Sequence, residues 1–533
     1  MRRKSYLIGL LLAFVLILGA CSNDTGTESE GLADVEEEVV EEVASNDSYE
    51  TEKVFTIEAK EAHWMFNDEI MDDIWTYNGT LPGKEIRVTE GDHVTLHVKN
   101  SLPTATAVHL HGFPVPNEMD GVPGVTQNAI MPGEEFMYEY VADTPGTYWY
   151  HSHQKGAEQV GRGLYGAFIV EPKDQPAYDL DEIIIIDEWS SMGMDMSHGD
   201  MDHSDMNDGH MDHGDMDHSD MNDGHMDHEG MAHGDMNGNG MGHDPEMSHA
   251  EMMRLMYDTP LINGKTGVHV EPLVVDEGET VKLRFLNAGL FTQTVTIPGH
   301  SYKITHYDGQ EVNEPEWISD EALRIAPAER FDVELELDNP GAWGIQVLAE
   351  DNRDNLNIAI PLVYAGYEND QLQTADASAY FDFTTYGEPK DIAGNVTKEY
   401  DMLLETNDNG ETFTINGKKF PDHEIYDVAE GDVVKFTIKN DTDDDHPMHL
   451  HGEFFNVISK DGQPIQGSPI LKDTLNVRPG ETYEIVFEAK NPGNWLFHCH
   501  EFHHASGGMV AEIQYEGFEQ TFTPDPNVPN QPE

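Results

Sequence analysis

One interval occurs three times along the chain and limits what it can fold into. Ten residues separate Glu90 from Asn100, Glu277 from Asn287 and Glu430 from Asn440. An Asn-Gly pair precedes each copy (Asn78-Gly79, Asn263-Gly264, Asn416-Gly417), and a Pro-Gly pair follows it (Pro145-Gly146, Pro340-Gly341, Pro492-Gly493). Within the interval the side chains alternate, as in Val94-Thr95-Leu96-His97-Val98 and Val433-Val434-Lys435-Phe436-Thr437-Ile438. Period-two alternation between Gly and Asn turns reads as strand, turn, strand. The copies lie too far apart for a solenoid, whose period is roughly 20–50 residues, so each marks a domain. No sustained helical periodicity competes with this reading. The expectation is an all-β chain of three β-sandwich domains, over residues 51–175, 176–370 and 385–525.

Laying the copies over one another aligns the chain with itself. Nine residues past the closing Asn stand His109, Thr296 and His449; six past the Pro of the late turn stand His151, Gln346 and His498. The outer copies carry imidazoles where the middle copy is bare, so a site is expected where the first and third domains meet. Four His-x-His pairs result: His109 with His111, His151 with His153, His449 with His451, and His498 with His500. Alternate residues of a strand face the same side, so each pair aims two imidazoles into one gap. Eight neutral imidazoles suit a borderline transition metal such as copper.

A second set of ligands surrounds Cys499. His446 stands three residues before His449, His504 five residues after Cys499, and Met509 ten after it. Two imidazoles, a thiolate and a weak axial thioether make a blue-copper electron-transfer site. Copy one has Thr106 and Ser152 in the places of His446 and Cys499, so only the third domain is expected to hold this site. Alternation turns His498 and His500 away from the thiolate face, and one short peptide then joins the two sites.

Taken together, His-x-His-Gly, His-x-His, His-Pro-x-His-x-His-Gly, and His-Cys-His with a distal His and Met closely resemble the three-domain multicopper oxidases, the group of laccases, bilirubin oxidases, ferroxidases and cuprous oxidases. The resemblance covers roughly residues 52–525, apart from one insertion. It implies three cupredoxin-like Greek-key sandwiches and four copper ions. It implies that His446, Cys499 and His504 bind type 1 copper with Met509 axial, and that His109 and His449 bind type 2 copper. It implies that His111, His151, His153, His451, His498 and His500 bind the type 3 pair. The implied reaction takes four single electrons from substrate at type 1 copper and reduces dioxygen to two waters at the other three. Asp120, eight residues past Gly112, matches a family acid near type 2 copper and is expected to relay protons. Many bacterial relatives place a further acid directly after the distal type 1 histidine. Here that residue is Ala505, and Glu501 is the candidate substitute. His503 competes with its neighbour His504, and the spacing from Cys499 favours His504.

Three segments stand outside this frame. Arg2, Arg3 and Lys4 precede an apolar run from Ser5 to Ala20, too short for an ordinary spanning helix. The run ends Leu18-Gly19-Ala20-Cys21, which resembles the bacterial lipobox. Residues 1–21 are therefore expected to be a lipoprotein signal peptide, with Cys21 lipidated and the protein extracytoplasmic, touching the membrane through that anchor alone. Residues 22–50 hold eleven Asp or Glu and no Lys or Arg, an acidic linker. In residues 192–253, Met recurs every five residues from Met196 to Met241, with His and Asp between. That period fits neither helix nor strand, so a disordered insertion is expected. Thioether sulfur selects Cu(I) and imidazole accepts either copper ion, so the insertion is expected to bind extra copper. The formal charge of −73 concentrates cations and leaves no basic surface for nucleic acid.

These features converge on an exported, copper-dependent oxidase with dioxygen as acceptor and Cu(I) as the expected donor. A laccase-like phenol oxidase is the second reading. An extracellular copper-binding or storage protein is the third, and the His-Cys-His bridge speaks against it, since storage needs no wired electron path.

Overall fold

The computed structural model describes residues 51–175, 177–190, 255–350, 354–392, 394–407, 410 and 412–532. The signal peptide and acidic linker expected over 1–50 and the insertion expected over 192–253 lie outside the described residues.

Six sheets form three sandwiches. The first domain has two four-stranded sheets, the second two six-stranded sheets, and the third a seven-stranded and a five-stranded sheet. In every domain the strand that ends at the closing Asn lies parallel to the domain's first strand. His93–Asn100 pairs in this way with Glu52–Met65, Thr280–Asn287 with Leu180–Trp189, and Val433–Asn440 with Lys398–Thr406. On its other side each central strand meets an antiparallel neighbour: Glu135–Val141, Arg330–Glu336 or Thr482–Glu488. This Greek-key arrangement, repeated three times, is the cupredoxin-like sandwich. Along Val433–Asn440 the alternation does what period two requires: Val434, Phe436 and Ile438 turn inward while Lys435, Thr437 and Lys439 turn outward. Each inward side chain contributes about 1.5–3 kcal/mol by leaving water.

The repeated residues have repeated jobs. Asn78, Asn263 and Asn416 adopt φ of 59°, 48° and 53°, and the glycines after them 82°, 71° and 73°. Two successive left-handed residues make the hairpin turn that Asn-Gly favours. Each of these Asn side chains also accepts a backbone N–H, from Glu58, Ile185 and Leu403 respectively. The closing Asn residues are buried clamps. Asn100 Nδ2 donates to the carbonyls of Thr104 and Ile130, Asn287 to those of Phe291 and Ile325, and Asn440 to those of Asp444 and Val477. In the outer domains the clamped loop leads directly into the strands His109–His111 and His446–Leu450.

Residues beyond 525, unassigned by the sequence reading, run back over the first domain. Asn530 Oδ1 accepts from the Ala129 N–H at 2.8 Å, and Gln154 Nε2 donates to the Pro529 carbonyl at 2.7 Å.

Candidate metal centres

Strand register brings the His-x-His pairs together. His109 lies opposite His151 between adjacent antiparallel strands, and His449 lies opposite His498. All eight imidazoles are buried, none more than 2% exposed, and the two foursomes face each other between the first and third domains. Ring nitrogens gather within 4.8 Å of one another in the sets His109–His449–His451, His109–His111–His151 and His153–His451–His498. The His500 ring completes the group, 4.7 Å from His111 and 5.2 Å from His151. Among the described residues the middle domain supplies no imidazole to it.

Partners on the outside fix where seven of the eight rings carry their protons. A carbonyl oxygen only accepts, so a ring nitrogen facing one must donate. Nδ1 of His109, His151, His153, His449 and His498 donates to the carbonyls of Asp120, Ser152, Pro532, Asp473 and Cys499. His451 Nδ1 donates to the Asp120 carboxylate at 3.0 Å. His111 is turned the other way, with Nε2 donating to Asp473 Oδ1 at 3.1 Å. The inward nitrogens are therefore lone pairs. Burial pushes His111, His151, His153, His449, His451, His498 and His500 down from their ordinary values, and for all but His449 the neighbouring imidazoles push next hardest.

That donor set fits a metal. Nε2 of His109, His151 and His449, Nδ1 of His111 and both ring nitrogens of His500 meet no hydrogen-bond partner among the described residues. Each such group costs about 1–3 kcal/mol while unsatisfied. His451 Nε2 and His498 Nε2 face each other at 3.0 Å with both protons held elsewhere, an arrangement that repels unless a cation takes the lone pairs.

The second set forms beside it. Cys499 Sγ lies 3.6 Å from His446 Nδ1 and 3.7 Å from His504 Nδ1, with the thiol fully buried. The outer nitrogen of His446 is held by Thr442 Oγ1 at 2.8 Å, and that of His504 lies 3.4 Å from Glu501 Oε2. Burial pushes His446 down to about 3. Met509 is fully buried, and its N–H and carbonyl bond the His504 carbonyl and the Cys499 N–H. The trio contains His504 and not His503. In the first domain the matching pocket is closed by neutral hydrogen bonds: Thr106 Oγ1 and Ser152 Oγ both donate to Gln159 Oε1, at 2.8 and 2.7 Å.

Family models described as multicopper oxidase match residues 58–175, 227–367 and 392–517. Multicopper oxidase MmcO of Mycobacterium tuberculosis is 31% identical over 83% of this chain and 82% of its own. The chain belongs to the multicopper oxidases. It is thus a copper-dependent oxidoreductase with dioxygen as acceptor. This oxidase is also similar to copper resistance protein A of Escherichia coli, 26% identical over 83% of the oxidase and 89% of the relative. An iron transport multicopper oxidase of Gibberella zeae is 26% identical over 84% and 72%. Among solved structures, Fet3p, a multicopper oxidase that functions in iron import, shares the fold with a TM-score of 0.69 at 22% identity, over 87% of the oxidase and 90% of that chain.

Several residues around the oxidase's site escaped the sequence reading. Asp473 lies within reach of His111 and His449, Pro532 of His153, Thr442 of His446, and Gln159 fills the mock pocket. None carries a local motif; Asp473 and Pro532 meet His111 and His153 across 362 and 379 residues, while Thr442 lies four residues from His446 and Gln159 seven from Ser152. Glu501, the candidate second acid, caps the helix Phe502–Ser506 by accepting the His504 N–H at 2.7 Å, on the Cys499 side and not within the eight-imidazole cluster. Burial pushes its carboxyl up to about 8.

Proposed function

We propose that this multicopper oxidase oxidises Cu(I) to Cu(II) outside the cytoplasm, tethered by lipid on Cys21. In this reading four coppers are held as follows: type 1 by His446, Cys499, His504 and Met509; type 2 by His109 and His449; the type 3 pair by His111, His151, His153, His451, His498 and His500. When bound, copper supplies a one-electron acceptor at the thiolate and a four-electron reductant of dioxygen in the imidazole cluster. The chain's own part is placement. The peptide His498-Cys499-His500 spans both sets through consecutive residues. Outer carbonyls and carboxylates hold the ring protons away from the lone pairs. Asp120 accepts the His451 Nδ1 proton on its carboxylate and the His109 Nδ1 proton on its carbonyl, which sets a carboxylate against the cluster.

The observation that favours Cu(I) concerns the residues bordering the Met-rich insertion. Trp189 before it and Tyr257 after it belong to one apolar cluster that also contains Phe502, on the helix that carries His504. Burial, and then the carboxylates of Asp187, Glu501 and Glu188, push the Tyr257 hydroxyl up. The described residues that flank the insertion thus share an apolar cluster with the helix that carries His504, at the proposed electron entry point. Thioethers tethered there raise the local concentration of a soft cation. The likeness to copper resistance protein A agrees with this choice.

Oxygen uptake with stabilised Cu(I), Fe(II), Mn(II) and a phenol, with and without residues 195–249, tests it. Cu(I) is expected to be the best donor, and the deletion to raise its KM while sparing the phenol. Brisk phenol turnover with inert Cu(I) would sink the reading.

A further inference from the structure

Two acids hold the imidazole cluster in the same way from opposite sides. Asp120, in the first domain, accepts His109 Nδ1 on its carbonyl at 2.7 Å and His451 Nδ1 on its carboxylate at 3.0 Å. Asp473, in the third, accepts His449 Nδ1 on its carbonyl at 3.0 Å and His111 Nε2 on its carboxylate at 3.1 Å. Each carbonyl serves the proposed type 2 ligand of its own domain. Each carboxylate reaches across to a proposed type 3 ligand of the other.

The middle domain breaks this symmetry. Its Arg330, fully buried, donates Nη1 to Asp473 Oδ1 at 2.8 Å and Nη2 to Oδ2 at 2.6 Å. A paired contact of this kind fixes direction as well as distance. The other three guanidinium N–H groups are also used, on the carbonyls of Thr147, Ala328 and Asp308. All five donors are thus spent, and they tie together all three domains. Thr474 Oγ1 adds a further bond to Asp473 Oδ1 at 2.8 Å. There is no slack around the pair: a Cβ on Gly112, the residue after His111, would stand 2.3 Å from Asp473 Oδ2 and 2.5 Å from Arg330 Nη2.

We propose that Asp473 is a positioning residue of the oxidase and that Arg330 makes it one. Through this pair the domain without ligands sets the tautomer and orientation of His111 and His449. Asp473, joined by Thr474 Oγ1 at the same 3.1 Å from His111 Nε2, turns His111 so that Nδ1 faces inward, opposite to the six rings clamped through Nδ1. The idea rests on the copper assignment above and goes beyond it, because it gives the bare domain a role in the metal site.

The test uses the copper-loaded full chain, with the blue absorption of the Cys499 site as an internal measure of folding. In Asp473→Asn the amide cannot accept both Arg330 N–H groups. Restoring its type 2 paramagnetic resonance signal is expected to need about 10–100-fold more Cu(II), the usual effect of losing a partner behind a ligand, while the blue absorption persists. Arg330→Lys keeps the charge and loses the paired geometry, and is expected to shift the type 2 hyperfine splitting with a smaller loss of affinity. Thr474→Val removes no charge, only the hydroxyl that bonds Asp473 Oδ1 at 2.8 Å and lies 3.1 Å from His111 Nε2 and 3.2 Å from His449 Nδ1. It decides the matter if the buried-charge variants do not fold, and a changed hyperfine splitting is expected. A blue, folded variant with the parent's type 2 spectrum and Cu(II) requirement overturns the proposal. A parent chain that shows no type 2 signal fails the copper assignment instead.

Discussion

Asp120 shows how much one side chain is asked to do. It is 1% exposed, and its carbonyl and carboxylate each take a proton-bearing ring nitrogen. Asp120→Asn keeps an oxygen for His451 Nδ1 and the backbone carbonyl for His109, so the metal-facing lone pairs stay in place. What it loses is a group that exchanges a proton. Turnover per bound copper is therefore expected to fall by on the order of 10²-fold or more, the usual worth of a positioned acid or base, with copper content near that of the parent. Oxygen uptake and metal analysis on one sample check this, and parent-like turnover would refute the relay. A variant that loses copper as well would make Asp120 a scaffold before anything else. Legibility at this scale follows sequence distance. The imidazole pairs could be read because strand alternation places i and i+2 on one face. Asp473 could not: its partners Arg330 and His111 lie 143 and 362 residues away, and it is one acid among 102.

At the scale of elements, the three-fold repeat could be read because its turns and clamps are local. Asn-Gly makes its hairpin from two residues, and each closing Asn reaches only four residues on for one of its bonds. The second bond, to Ile130, Ile325 or Val477, spans 30 to 38 residues and was not readable. Neither was the chain past 525, whose contacts with Ala129 and Gln154 join residues 401 and 375 apart. The clamps permit a comparison across domains. Asn287→Ala and Asn440→Ala both strip donors from two carbonyls, at a cost of about 1–3 kcal/mol per buried group left unsatisfied. Similar drops in thermal midpoint are expected. Only Asn440→Ala is expected to disturb copper, because its loop carries Thr442 and leads into His446 and His449, whereas the loop after Asn287 leads to Gln293 and Thr296. Calorimetry and visible absorption on the two variants separate the effects. Equal loss of the blue band in both would show that the clamp acts on the fold alone.

For the whole molecule, the cluster is a seam between the outer domains, and protons decide how well it closes. Seven of its imidazoles are pushed down by burial. In the unfolded chain the same rings titrate near 6.5, roughly the model-peptide value. Lowered folded values mean that the unfolded state binds protons first. The stability these rings contribute is thus complete above about pH 6.5 and is lost as pH falls below it. Each contributes up to about 1.4 kcal/mol per pH unit, against a typical total of about 5–15 kcal/mol, so a few rings suffice to open the seam. The formal charge of −73 works in the opposite direction, since acid relieves self-repulsion. Ordinary carboxylates, however, take up protons mainly below about pH 5, so between there and about pH 6.5 the imidazoles win. Copper-free protein is therefore expected to lose its guanidinium midpoint steeply from about pH 7 to 5.5, and copper-loaded protein much less, because bound metal keeps the lone pairs from protons. Fluorescence of the buried Trp149 and Trp495 follows both transitions. Parallel pH slopes for the two forms would mean that the seam is not where the metal sits.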